Sequence, residues 1–530
     1  MSELRQIPIE ALRSNNVPSG EEKELILRHI ADAEVDLVSF NDKVMEAYRI
    51  LRELQSQRQN IISYIEAQRS LFSQIRTIPD EILVEIFLAC SHSISIAAGP
   101  IGFPWNLTQV CSRWRRIALS CTPLWSDLHL DQSSFPKHSP LRLDSMRELF
   151  DLCLQRSSEQ LLSLRVVFSS FSHFPFLDRL LSTSHRWERL TFFTGPMGFQ
   201  PLNILKDNVP ELRHLIIYDL HCADQGDTVV AFQDAPKLTH VSLIHFRSAL
   251  GLFKLPWNQL THISLRAQLN YREYVQLLRL FQNITNLDVR GVTLRDSITE
   301  SDTMTCIELP RVQTFSLEWF SDIKFILQPL RLPNLTTLSI LVGDYTDKPD
   351  IKPISDLLNH SSSHLKKLDV YGSSPADYII RIFEIAEDIG HLELHTVHSY
   401  RGLLMKRLTI TSGENLSDDV FNSGSSVPIL LPNLHTLSLN GVKPSDLPPL
   451  VRMLRSRVGE GSNSTSMDNT SQLSSAKVGG NDAVPLRKLR FLLTNINGAD
   501  EDLLEELRTF TKDGRLKLNM DWIPDGQWFS

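Results

Sequence analysis

Apolar and polar positions alternate along this chain with three different periods, and each period predicts its own kind of element. From Glu21 to about Ser73 there is no proline or glycine. Apolar residues recur at Ile26, Ile30, Ala33, Leu37, Phe40, Val44, Ala47, Leu51, Leu54, Ile61 and Ile65, a 3–4 alternation over more than five heptads broken only by Arg58. That predicts one long coiled-coil-like helix over 21–74, about 80 Å from end to end. Its apolar stripe needs a mate, either a second copy of the chain in a parallel dimer or the remainder of the same chain. Residues 1–20 are polar, end on Pro18-Ser19-Gly20, and predict a disordered tail.

Between Ile75 and Leu128 the period shortens to two brief helical stripes. Ile82, Leu83, Ile86, Phe87 and Cys90 share one. Leu107, Val110, Trp114, Ile117, Ala118 and Cys121 share the other. The loop Ser91 to Pro104 separates them, and Leu124-Trp125 closes the segment. Fifty residues cannot bury that much apolar surface alone, so part of it must go to the rest of the chain or to a partner.

From His129 to 455 a third pattern takes over: aliphatic, two residues, aliphatic, one residue, aliphatic. Clear copies are Leu212-Leu215-Ile217, Leu238-Val241-Leu243, Leu260-Ile263-Leu265, Ile284-Leu287-Val289, Leu335-Leu338-Ile340, Leu365-Leu368-Val370 and Leu434-Leu437-Leu439. Weaker copies are Leu161-Leu164-Val166, Trp187-Leu190-Phe192, Val312-Phe315-Leu317, Ile389-Leu392-Leu394, Met405-Leu408-Ile410 and Leu486-Leu489-Phe491. Successive copies mostly start 22 to 30 residues apart. That is the period of leucine-rich repeats, in which each unit is a short strand plus a returning segment, and stacking builds one continuous core. The expected fold class is therefore α/β: a long N-terminal helix, a small all-α module over 75–128, then an irregular repeat solenoid. The stretch 456–484 is rich in Ser, Asn and Gly and predicts a disordered insertion. A last repeat and a cap follow over 485–530, with Trp522, Trp528 and Phe529 available to close the open end.

Composition narrows function mainly by exclusion. Hydrophobic residues make up 42% of the 530 positions, as in ordinary globular chains, and the net charge of −8 argues against a dedicated nucleic-acid binder. The six cysteines, Cys90, Cys111, Cys121, Cys153, Cys222 and Cys306, include no CxxC pair, so no zinc or thioredoxin-type site is expected. No signal core and no run of 18 apolar residues is present, which points to a cytoplasmic or nuclear protein without a membrane partner. No nucleophile elbow, P-loop or dinucleotide fingerprint occurs, so neither catalysis nor a cofactor is expected.

The ordered set Ile78-Pro79, Glu81, Ile82-Leu83, Ile86-Phe87, Val110-Cys111-Ser112-Arg113-Trp114 and Leu124-Trp125 resembles an F-box, and its general texture resembles the expanded F-box families of mushroom-forming fungi. The match covers about a tenth of the chain. Ile replaces the usual first Leu, and the Ser91–Pro104 loop is longer than in the compact form. The resemblance implies a non-catalytic substrate-recognition subunit of a Skp–cullin–F-box ubiquitin ligase. Ile78, Pro79, Ile82, Ile86, Val110, Trp114, Leu124 and Trp125 would bind the Skp-family adaptor, which carries the cullin, and the repeats would bind an unknown protein substrate. For Trp114 the alternative is a core tryptophan. For the whole chain it is a repeat scaffold outside any ligase.

Substrate-contact candidates are polar residues on the repeat strands: Arg213, His240, Arg290 and Lys367, and the segment His391-Leu392-Glu393-Leu394-His395. Alternation places His391, Glu393 and His395 on one strand face. Two imidazoles and a carboxylate are also the donor types of a zinc site, although exposed polar residues are the simpler reading.

Overall fold

In the computed structural model one unbroken helix, α1, spans Gly20–Ser70. The structure describes residues 13, 17–135, 139–167, 174, 176–194, 203, 208–219, 228–294, 306–319, 323–342, 350–361, 365–372, 376–395, 401–410, 430–458, 485–493, 501–512 and 516–522. Most of the expected N-terminal tail, all but the first residues of the 456–484 insertion, and Trp528 and Phe529 lie outside them. A complete capping box starts α1: Ser19 Oγ accepts from the Glu22 amide, and the Glu22 carboxylate accepts from the Ser19 amide. No residue of α1 is buried.

The chain divides into two compact units, Met1–Ile86 and Phe87–Ser530. The boundary falls inside helix α2, Asp80–Ala89, whose first turn carries Asp80 and Glu81 beside the N-terminal dipole. In the second unit β1 (Ile94–Ser95) is followed by α3 (Trp105–Val110), α4 (Ser112–Ser120), β2 (Asp127–Asp131) and α5 (Pro140–Ser157). The expected all-α module is thus corrected. Ile94 and Ile96 alternate with polar residues and are buried, and β1 pairs in parallel with β2. The sheet therefore begins well before residue 129.

The sheet continues through β3 (Leu162–Val167), β4 (Trp187–Thr194), β5 (His214–Asp219), β6 (His240–Phe246), β7 (His262–Leu269), β8 (Asn286–Asp288) and β9 (Thr314–Trp319). It ends with β10 (Thr337–Val342), β11 (Lys367–Gly372), β12 (His391–His395), β13 (Thr436–Val442), β14 (Lys488–Leu493) and β15 (Lys517–Trp522). Each strand lies beside the next one in sequence, and every pair is parallel. Among the helices between strands are α6 (Tyr271–Leu280), α7 (Ile323–Leu327), α8 (Lys352–Ser361), α9 (Ala376–Ile385), α10 (Arg401–Leu408), α11 (Leu447–Val458) and α12 (Glu501–Lys512). From α7 onward, consecutive helices pack on one another.

Register explains the repeated aliphatic triplet. The middle residue of every triplet except Met405-Leu408-Ile410 joins a row running from Leu128 and Leu164 through Leu215, Ile263 and Leu338 to Leu392 and Leu489, all buried. Burial of each such side chain contributes about 1.5–3 kcal/mol. One expected strand is a correction: Met405 and Leu408 sit in α10. Both are buried, because L-x-x-L spacing also fits one face of a helix.

Candidate functional site

Two regions carry the residues that the sequence singles out. The first is the segment from Ile78 to Trp125. Pro79 starts α2, its carbonyl accepting from the Leu83 amide at 3.1 Å. Within α2 the apolar residues split between two environments. Leu83 and Phe87 are buried, whereas Ile82 is 51% and Ile86 40% exposed. Ile78 is half-buried and Pro79 exposed.

In the second unit Val110, at the end of α3, is 59% exposed. Arg115 Nε donates to the Thr108 carbonyl at 2.7 Å and ties α4 back to α3. Cys111 caps α4, its sulfur accepting from the Trp114 amide. That is a structural role for a thiol on the rim of the apolar stripe. Trp114 is half-buried, its ring 4.8 Å from that of Phe87.

Leu124 and Trp125 lie elsewhere. They occupy a 3-10 turn at 1% and 0% exposure. The Trp125 indole donates to the Ala118 carbonyl at 2.9 Å and meets Trp105 edge-on at 4.8 Å. Both residues are part of the core and offer no area to another molecule, which corrects their expected place on a docking surface. The reason is that an apolar pair at a helix exit serves equally well to seat the helix on a sheet.

The second region is the sheet face opposite the aliphatic rows. The residue just before each middle aliphatic forms one row: Arg189, His214, His240, His262, Asn286, Thr314, Thr337, Lys367, His391 and Thr436. Parallel pairing sets these side chains one strand spacing apart. His214 and His240 stand 4.3 Å apart by ring centroid, and His240 and His262 stack at 3.9 Å and 15°. Thr239 and Thr261 hydroxyls hold the Nδ1 atoms of His240 and His262, each at 2.8 Å. Burial, and then the charges of His262, His214 and Arg189, push His240 down to about 4. Burial lowers His214 and His262 as well. The stack is therefore uncharged at neutral pH. Beside it a depression of about 260 Å³ is lined by His240, Ser242, His262, Ser264, Asp288 and Ser316 among others.

Further along the same face lies an ion-pair network. Lys367 Nζ is 3.2 Å from Asp369 and 3.4 Å from Glu393. Glu393 also meets His391 Nε2 at 3.0 Å and His395 Nε2 at 3.5 Å. The His395 ring stacks on Tyr371 at 4.2 Å. Burial raises the Asp369 carboxyl, with only partial relief from Lys367. Burial also opposes ionisation of Glu393, but Lys367 and the His391 hydrogen bond outweigh it and hold that carboxyl low. Arg290 turns onto Asp288 through two bonds of 3.0 and 2.8 Å.

The alternation expected for His391, Glu393 and His395 is therefore present, with Glu393 hydrogen-bonded to His391 and 3.5 Å from His395. Among the described residues no group of three His, Cys, Asp or Glu side chains is arranged to hold a metal ion. Lys367 and His240 fall on the row. Arg213 stands just outside it, before β5, and pairs with Glu188 at 3.6 Å. Sequence reasoning missed His214, His262 and Asp369. Their signal was positional: each sits beside an aliphatic of the triplet at the same phase as His240 or Glu393.

No family model and no curated protein matches the chain. No described helix is long and apolar enough to cross a membrane.

Proposed function

We propose that the chain is the substrate-recognition subunit of a Skp–cullin–F-box type ubiquitin ligase, in the cytoplasm or nucleus, with the parallel sheet forming a leucine-rich-repeat solenoid that holds a protein substrate. The observation that carries this reading is the ordered F-box-like set together with the state of its members. Pro79, Ile82 and Ile86 in the first unit are exposed, as is Val110 in the second, and Trp114 is half-covered. Apolar side chains left wet at the positions that the resemblance assigns to an adaptor favour a partner there. The solenoid reading rests on strands in sequence order, all parallel, recurring at the repeat period.

In this reading the chain performs no bond chemistry. Ubiquitin transfer is done by other subunits, and the chain raises the effective concentration of a substrate lysine near the loaded conjugate. The row from Arg189 to His391, with the depression at His240–Asp288 and the Lys367–Glu393 network, is the substrate-facing surface. It offers neutral imidazoles at one end and the Lys367–Asp369–Glu393 ion-pair network at the other.

A repeat scaffold outside any ligase is the second reading. It is favoured by the burial of Leu124 and Trp125, which makes part of the motif a seat for the sheet. Co-expression with a Skp-family adaptor separates the two. Capture by the wild type that is lost in Ile82→Asp with Ile86→Asp, and weakened in Trp114→Ala with Pro79→Ala, supports the ligase reading. Capture unchanged by these substitutions, or absent from the wild type, rejects it.

A further inference from the structure

We infer that α1 pairs with α1 of a second copy of this chain as an antiparallel two-stranded coiled coil, in the register that sets residue i against residue 91 − i. The inference stands independently of the ligase reading.

The seam of α1 keeps a strict 3–4 spacing from Ile26 to Ile65. A 3.5-residue period sustained over that length specifies supercoiling with another helix, whereas packing on a globular surface follows the 3.6 period of a straight helix. The faces are sorted accordingly. The ion pairs Glu24–Arg28, Glu46–Arg49 and Arg49–Glu53 all lie on the outward side, away from the seam. The seam side chains Ile26, Ile30, Leu37, Phe40, Val44, Leu51, Leu54, Ile61 and Ile65 are exposed in the single chain.

Orientation follows from side-chain size and charge. In a parallel pair each seam residue faces itself. Arg58 would then face Arg58 inside an apolar seam, Phe40 would face Phe40, and the layers at Ala33 and Ala47 would be left hollow. Read backwards, the stripe matches itself. Ile26 meets Ile65 of the second copy, Ile30 meets Ile61, Leu37 meets Leu54 and Phe40 meets Leu51, while Val44 meets Ala47. Arg58 meets Ala33, one of the two small seam residues, one position from Glu34 and three from Asp36, which answer its charge. Four layers set aliphatic or aromatic side chains against each other, and both alanines face a larger residue, so no layer is left hollow and each contact recurs by symmetry, as in an isologous interface.

The flanking positions agree. Leu27 comes beside Ile62, Glu34 beside Gln55, Asp36 beside Gln57 and Lys43 beside Ile50, so no like charges meet. The register shifted one heptad earlier, i against 84 − i, would bring Lys43 beside Lys43. The centre of the favoured register, 45.5, also nearly coincides with the midpoint of Gly20–Ser70, so the two helices overlap along almost their full length.

The test uses the full chain. Sedimentation at about 10 µM should give twice the monomer mass. Leu37→Glu places a carboxylate in two layers of the dimer and should raise the dimer dissociation constant at least about a hundredfold, with helicity by circular dichroism unchanged. Val38→Glu, on the outward side, should leave the mass as in the wild type. A benzoylphenylalanine photo-cross-linker in place of Leu27 should capture peptides of the second copy from 55–69. Cross-links to 20–34 would overturn the antiparallel register. A monomer at all concentrations up to about 100 µM, or a dimer indifferent to Leu37→Glu, would overturn the pairing itself.

Discussion

The guanidinium of Arg156 lies 4.3 Å from the ring centroid of Trp125, and 4.8 Å from that of Trp105. Arg156 sits in the last turn of α5, so this contact fastens the helix after β2 to the indole pair at the end of the F-box-like segment. Cation–π contacts of this kind contribute about 0.5–2 kcal/mol. Arg156→Ala should lower the urea-unfolding free energy by about 1–2 kcal/mol, with Arg156→Lys falling between it and the wild type. Trp125→Ala, which leaves a large void, should cost about 3–5 kcal/mol. A core role for Trp125 has a second consequence. On the proposed ligase reading, its alanine variant should lose stability and adaptor capture together, whereas Ile82→Asp should lose capture with the unfolding midpoint unchanged.

The histidine stack should make stability depend on pH. Burial depresses all three imidazoles below their usual 6.5, His240 to about 4. The unfolded chain therefore takes up protons first as the solution is acidified. The stack's contribution is full above pH 6.5 and is lost as pH falls toward 4. The rings are half-buried on the sheet face, so partial solvent screening holds the loss to about 1 kcal/mol. The urea midpoint of the wild type should fall between pH 7 and pH 5. In His240→Asn with His262→Asn it should fall less, and an equal fall in the two proteins would remove the stack as the cause.

Two glycines should respond to alanine in opposite directions. Gly372 ends β11 with φ of +88°, and a Cβ there would stand 1.9 Å from the Val342 carbonyl oxygen on the paired strand. Both the backbone conformation and the contact exclude a side chain, so Gly372→Ala should cost about 3 kcal/mol or more. Gly402 lies in α10 with nothing near its Cβ direction. Gly402→Ala should raise stability by about 0.5–1 kcal/mol. Thermal melting of the two variants beside the wild type checks both signs.

Particular residues show how far the sequence carries. α1 was legible because no breaker interrupts Glu21–Ser70, and the repeat strands were legible because Leu215, Val241 and Leu338 each recur at a phase that only a buried row explains. Met405 and Leu408 misled because their spacing serves helix and strand alike. Leu124 and Trp125 misled for a different reason: composition marks a side chain as apolar, while its burial depends on the sheet that folds against it. The His214–His240–His262 stack joins residues more than twenty positions apart, and only strand register brings them together. His240 was visible as a strand residue, but its neighbours were not.

Arg457 is the sharpest case of a residue that sequence misplaces. In the sequence it falls at the start of the 456–484 stretch expected to be disordered, two residues after Arg455, which is well exposed and pairs with Glu506. Arg457 instead is 2% exposed. Its Nε donates to the Leu408 carbonyl at 2.7 Å, Nη1 to Leu431 at 3.0 Å and Nη2 to Leu430 at 2.6 Å. One planar guanidinium thus joins the end of α10 and the chain leading into β13 to the last turn of α11. Burial without a carboxylate pulls its pKa down to about 10, so it stays protonated at neutral pH and the three carbonyls carry its charge. Arg457→Met keeps the volume but leaves three buried carbonyls without donors, and should cost about 3–5 kcal/mol in urea unfolding. Arg457→Lys, whose ammonium lacks the planar fork, should recover only part of that loss. Arg455→Met, two residues away, should cost less than about 1 kcal/mol. Equal losses at 455 and 457 would refute the bridging role of the buried guanidinium.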